Sequence, residues 1–263
     1  MEAPFSLLAT LRFDPFLETM GWNNDPDGLP SPYLLLSHQL ERLVASSLAL
    51  QWRSAQDLTF AKLKNVCDTI VQDVNGVDPG QPLRIRLVLS PVDLTASASP
   101  LQSLQHDPTL PSLFNPLSDS QVLFEPILRI CVDSQPTSNT VSMKTTNRRP
   151  YDDARIRTGV PPVGAPRGVA SDCPDDVILY NTRETVTETS IHNIAFFRHG
   201  RWITPPLTAG CISGAFRRWL LENNRIHEVP ENEVSLKAIV SNEWVLVFNG
   251  VTGCRLGRVW LRE

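Results

Sequence analysis

Seven short runs in the second half of the chain favour strand. They are Ile127–Val132, Val177–Tyr180, Thr185–Glu188, Asn193–Arg198, Trp202–Thr204, Val234–Val240 and Trp244–Phe248. Their Val, Ile, Thr, Phe and Trp content suits a pleated, half-buried surface. This half is therefore expected to be mostly extended. His199-Gly200, between two of the runs, predicts a hairpin turn. The clearest helix here runs from Ser213 to Asn223, with Phe216, Leu220 and Leu221 apolar; Gly210 precedes it and Gly214 opens it.

The first half reads as a small unit of mixed elements. FSLLATLRF, from Phe5 to Phe13, predicts a strand. Ser37 is placed to cap a helix whose stripe is Leu40, Leu43, Val44 and Leu48. A second helix is expected from about Asp57 to Val74, with Phe60, Leu63, Cys67, Ile70 and Val74 on one face. Leu83, Ile85, Leu87 and Leu89 alternate with Arg84, Arg86 and Val88, the period of a half-buried strand. From Ser97 to Ser120 the chain turns polar and Pro-rich, which predicts a loop and linker. No internal repeat is found.

Composition narrows the function. The 263 residues are 41% hydrophobic and 20% charged, as in ordinary soluble domains. A net charge of -4 argues against nucleic acid as the main partner. No apolar run approaches the ~20 residues of a membrane helix, and the N-terminal residues lack the basic start of a signal peptide. Cys67, Cys131, Cys173, Cys211 and Cys254 are scattered, with no CxxC pair. That pattern fits reduced thiols in the cytoplasm and gives no zinc site.

Three stretches carry chemistry: Met143-Lys144-Thr145-Thr146-Asn147-Arg148, placed between an expected strand and an expected helix; Val186-Thr187-Glu188 with Asn193-Ile194 and the later Thr204-Pro205-Pro206; and Gly210 through Arg217. His38-x-x-x-Arg42-Leu43 joins them from the first half. In this order they resemble the fold-type IV pyridoxal-phosphate enzymes, the class IV aminotransferase family, over nearly the whole chain. The family includes branched-chain and D-amino acid aminotransferases and 4-amino-4-deoxychorismate lyases.

The resemblance implies an α+β fold: a small N-terminal α/β domain (1–115), a larger C-terminal β-rich pseudo-barrel domain (116–263) and the cofactor between them. It implies pyridoxal 5′-phosphate joined to Lys144. An amine is required because it can form an imine, exchange it for the substrate's, and then move a proton at the substrate carbon. Glu188 is implied against the pyridine nitrogen, where a carboxylate strengthens the ring as an electron sink. Arg42 is implied at the phosphate, where a guanidinium bonds two oxygens. Gly214, Ala215 and Phe216 would add the donors of a helix N-terminus, and Thr252 a further phosphate contact. On their own, Lys144 reads as a surface lysine, Glu188 as a strand-end carboxylate and Arg42 as a helix-face arginine.

Within the family, Lys144-Thr145-Thr146-Asn147-Arg148 and the short chain look more like the lyases of folate biosynthesis than the larger transaminases. The expected reaction converts 4-amino-4-deoxychorismate to 4-aminobenzoate and pyruvate. Thr10, in Ala9-Thr10-Leu11-Arg12, is a candidate to pass a proton to the departing enolpyruvate; its plain reading is a strand threonine. Arg84, Arg86 and Arg148 are candidates for the substrate carboxylates. Two departures stand out: Tyr151 is offset from the tyrosine of branched-chain enzymes, and the loop after Ser90 lacks the Ser-Arg-Gly continuation of many relatives. The alternatives are an aminotransferase acting on a D-amino acid, a branched-chain amino acid or a chiral amine, and a non-catalytic scaffold. A small-molecule substrate and a homodimer are implied by the resemblance.

Overall fold

The computed structural model describes residues 5–52, 57–76, 78, 80–137, 143–165 and 173–261. The strand expected just ahead of Met143 lies outside the described residues.

The alternation in the first half builds a two-layer unit. β1 (Leu7–Phe13), β2 (Leu83–Leu89) and β3 (Leu94–Pro100) form an antiparallel sheet in chain order. Leu83, Ile85, Leu87 and Leu89 join Leu7, Ala9, Leu11 and Phe13 in one buried cluster. Leu36 and Leu43 from α1 (Leu36–Ala49), and Leu63, Cys67 and Val71 from α2 (Phe60–Asn75), complete that cluster. A period of two sends the remaining side chains to the other face. Thr10 there stands opposite Arg86 in the ladder, and Arg12 opposite Arg84.

Four details differ from the sequence reading. Ser37 does not cap α1: Leu35 sits at the N-cap in the left-handed region (φ 54°), and the Asn23 side chain accepts its N–H at 3.0 Å. α2 opens at Phe60 rather than Asp57, where the Thr59 hydroxyl accepts the Lys62 N–H. Leu48 and Val74, expected on the apolar stripes, are 56% and 42% exposed; the buried faces are rotated toward Ser47 and Val71. Ser97–Pro100, expected as loop, is strand. Ala96 and Ala98 pack on the core cluster and Ser97 pairs with Arg86, so the neighbouring strand supplies a ladder that local propensity does not announce.

The second half forms an eight-stranded mixed sheet. Its strands are β4 (Leu128–Val132), β5 (Asp176–Tyr180), β6 (Val186–Thr189), β7 (Asn193–Arg198), β8 (Arg201–Thr204), β9 (His227–Glu228), β10 (Trp244–Asn249) and β11 (Gly253–Val259). Their spatial order is β6-β5-β4-β11-β10-β7-β8-β9. Leu128, Ile130, Ile178, Val186, Ile194, Phe196, Ile203, Val245, Val247 and Val259 converge on a single buried cluster. Strands this far apart in the order share one interior only if the sheet curls. The turn Ser190–His192 draws it closed, tying β6 at the sheet edge to β7 in its sixth place.

His199 and Gly200 have φ of 53° and 75°, as a two-residue hairpin turn with both centres left-handed requires. Val234–Val240 is not a strand. It forms two short 3₁₀ turns, Glu231–Val234 and Leu236–Ala238, that drop Val234 and Ile239 into the core. β11 escapes sequence reading because of its glycines. Yet a Cβ at Gly257 would lie 3.0 Å from Ile130 and 3.1 Å from Val245, so the glycine is what lets three strands approach. Two further helices, α3 (Arg149–Thr158) and α4 (Ala215–Glu222), flank the sheet.

Candidate active site

A cavity of about 750 Å³ lies between the small sheet and the curled one. Its wall includes each residue given a catalytic, cofactor or substrate role from the sequence: Thr10, Arg42, Arg84, Arg86, Lys144, Arg148, Glu188, Gly214, Ala215, Phe216 and Thr252.

Backbone pairing fixes Lys144. Its carbonyl accepts the Leu8 N–H at 2.8 Å, and the Thr146 N–H reaches Ser6 O at 2.9 Å, so this stretch extends the edge of the small sheet beside β1. The side chain is half-buried where it meets the cavity. Burial, reinforced by the Arg42 and Arg148 cations, lowers its amine to about 7, while Glu188 pulls the other way. A lysine at that value is substantially the free amine at neutral pH.

Glu188, on β6, is buried and burial raises its carboxyl to about 7. Tyr151 of α3 donates to its Oε1 at 2.7 Å; the Ile212 N–H and Asn193 Nδ2 donate to Oε2 at 3.2 and 3.3 Å. Among the described residues no cation forms a salt bridge with it.

Arg42, on α1, is buried and donates to Leu8 O and to Gln39 Oε1 at 2.8 Å. Burial lowers it to about 10, and its Nε has no partner among the described residues. Across the cavity, Gly214 is the N-cap of α4. Ala215 and Phe216 open that helix, where N–H groups have no acceptor within it. A Cβ at Gly214 would run into Asn193 Oδ1, so a larger residue here requires Asn193 to move. Thr252 lies in the β10–β11 turn. Asn249 Oδ1 accepts its N–H at 2.9 Å and its hydroxyl at 3.1 Å, which occupies the donors expected to face an anion.

Arg148 donates to Ser190 O at 3.0 Å and lies over the Tyr151 ring. Arg84 is lowered by burial and by Arg86 and Arg148 nearby. The cavity wall carries Lys144 and seven arginines against Asp175, Asp176 and Glu188. A chain of net charge -4 has thus gathered positive charge at one place, which selects anionic ligands.

Sequence reading left out Tyr151 as a site residue, and also Gln39, Asn249, Asp176, Arg155 and His192. Tyr151 and Arg155 lie one helical turn apart on α3, a spacing that puts both on one face. The others carry no local signal.

Residues 16–259 match the class IV amino-transferase family. A Schizosaccharomyces pombe protein provisionally named an aminodeoxychorismate lyase is 33% identical over 224 residues, 82% of this chain and 80% of that protein. The 4-amino-4-deoxychorismate lyase of Pseudomonas aeruginosa superposes with a TM-score of 0.59 at 16% identity, covering 98% of this chain and 83% of that one. A hypothetical aminotransferase of Mycobacterium tuberculosis, solved with α-ketoglutarate and PMP, gives 0.61 at 14% identity, covering 97% and 81%. The chain belongs to the class IV aminotransferases, enzymes that depend on pyridoxal 5′-phosphate.

The residues present fit that cofactor. A buried carboxylate without a countercharge suits a protonated pyridine nitrogen. A buried guanidinium with an orphaned Nε suits a phosphate, and an amine lowered to about 7 suits an aldehyde.

Proposed function

We propose that this chain is a pyridoxal-phosphate-dependent lyase that converts 4-amino-4-deoxychorismate to 4-aminobenzoate and pyruvate. The observation that carries the reading is a strongly basic cavity whose wall holds Arg84, Arg86 and Arg148 beside Lys144 and Glu188, where burial lowers the amine and raises the carboxyl. Such a substrate brings two carboxylates in addition to the cofactor phosphate. An excess of arginines matches that demand better than it matches a monocarboxylic amino acid with an apolar side chain.

When bound, the cofactor supplies an electron sink for the amine-bearing carbon. Lys144 is proposed to hold it and afterwards to take the proton from that carbon, which an amine near neutrality does well. Glu188 is proposed to pair with the pyridine nitrogen, oriented by Tyr151 and Asn193. Arg42, Gly214, Ala215 and Phe216 are proposed to hold the phosphate, with Thr252 at its margin. Arg84, Arg86 and Arg148 would grip the substrate carboxylates, and Thr10, opposite Arg86, would lend a hydroxyl beside them. The likeness in name of the S. pombe relative supports the same reaction.

The test is a product assay. Supplied with 4-amino-4-deoxychorismate, the loaded enzyme should release pyruvate and 4-aminobenzoate in equal amounts. Transfer of an amino group to 2-oxoglutarate without pyruvate would identify an aminotransferase instead.

A further inference from the structure

Beside the cavity, β5, α3 and the turn after β6 bring an acid, a guanidinium and an imidazole together. Asp176 is buried on β5. Its oxygens accept from the Thr189 hydroxyl at 2.6 Å, the Ser190 N–H at 3.1 Å, the Val177 N–H at 2.8 Å and the Ser190 hydroxyl. Arg155 Nη1 lies 3.5 Å away and donates to Ser190 Oγ at 2.6 Å. Asp176 Oδ2 is 2.8 Å from His192 Nδ1.

So many donors keep Asp176 ionised, and an ionised carboxylate only accepts. Nδ1 of His192 therefore carries the hydrogen in this bond. His192 lines the cavity, and its Nε2 has no partner among the described residues. A proton can arrive at or leave Nε2 while the bond to Asp176 stays intact, the arrangement by which a carboxylate fixes the tautomer of a working histidine. Thr10, the other candidate proton donor, bonds no titratable group among the described residues.

We propose that His192, positioned by Asp176, is the acid that protonates the departing ether oxygen of the substrate. The proposal rests on the lyase reading above. Lys144 takes the proton from the amine-bearing carbon. The carbon–oxygen bond breaks and its electron pair goes to oxygen. His192, carrying a hydrogen on both ring nitrogens, passes the Nε2 proton to that oxygen and is left as the neutral Nδ1–H imidazole, and enolpyruvate leaves and tautomerises in water to pyruvate. Lys144 then returns a proton to solvent and His192 takes one up, so no further reactant is needed.

The experiment compares holoenzyme carrying H192N with wild type. Asn keeps an N–H where Nδ1 donates to Asp176 and removes Nε2. Pyruvate formation should fall by roughly 10²–10⁴ in kcat, the usual contribution of a general acid. KM and cofactor absorbance should barely move. Exchange of the proton on the amine-bearing carbon with deuterated solvent should persist, and imidazole should restore turnover to H192A. Heteronuclear NMR of labelled histidines in the substrate-free protein should show that Nδ1 of His192 keeps its hydrogen whether or not Nε2 carries one, so that the neutral ring is the Nδ1–H tautomer. Near-normal turnover of H192N, loss of the carbon-bound exchange together with pyruvate formation, or the opposite tautomer would overturn the proposal. A wild-type enzyme that makes no pyruvate would overturn the lyase reading and this step with it; an active wild type with an equally active H192N overturns this step alone.

Discussion

Tyr151 Oη donates to Glu188 Oε1 across 2.7 Å, tying the helix that follows the lysine to the strand that carries the acid. Both groups are shifted by burial: the phenol is raised, and the carboxyl is raised to about 7. Removing the hydroxyl in Y151F takes a donor from a buried carboxylate, a loss of roughly 1–3 kcal/mol. Turnover should fall and Glu188 should titrate higher, as followed by the pH dependence of cofactor absorbance. An unchanged titration would mean that the phenol does not act on Glu188.

Stability of the cofactor-free protein should pass through a minimum near pH 7. Glu188 is raised from 4.5 to about 7, so between those values the folded state holds more protons and stability falls as pH rises. Lys144 is lowered from 10.5 to about 7, so above pH 7 the unfolded state holds more protons and stability rises again. Thermal melts across pH check this. E188Q should flatten the acidic limb and K144M the alkaline one; limbs unaffected by these changes would contradict the assignment.

Arg42→Ala should weaken cofactor binding. A charge-assisted bond contributes about 1.5–3 kcal/mol, or roughly 10- to 150-fold in the dissociation constant. Equilibrium titration with pyridoxal 5′-phosphate measures it. An unaltered constant would remove Arg42 from the phosphate site.

Gly214→Ala should cost stability as well as cofactor affinity. The added Cβ would meet Asn193 Oδ1, and Asn193 is pinned by its bonds to Ile212 O at 2.9 Å and to Glu188. Overpacking of this kind costs about 1–3 kcal/mol. A melting temperature equal to wild type would show that the turn yields.

The sequence revealed most where one period or one ordered motif carried the information. The alternation of Leu83 to Leu89 alone puts Arg84 and Arg86 on a common face, and Lys144, Glu188 and the opening of α4 line one cavity. What stayed hidden depends on partners distant in the chain. Ser97–Pro100 becomes a strand through β2, and Gly257 is tolerated in β11 because three strands crowd it. Val234–Val240 has strand composition but ends as 3₁₀ turns, since its apolar residues are pulled into an existing core. Asp176 and Arg155 come together only when α3 packs beside β5; no spacing links a single acid to an arginine twenty-one positions earlier.

The proposed chemistry requires Lys144 as the amine that joins the cofactor. Borohydride reduction of the yellow holoenzyme, followed by proteolysis and mass spectrometry, should find the pyridoxyl group on the peptide containing Lys144, and K144A should be neither labelled nor active. A label on another lysine, or a K144A enzyme that still turns over, would contradict it.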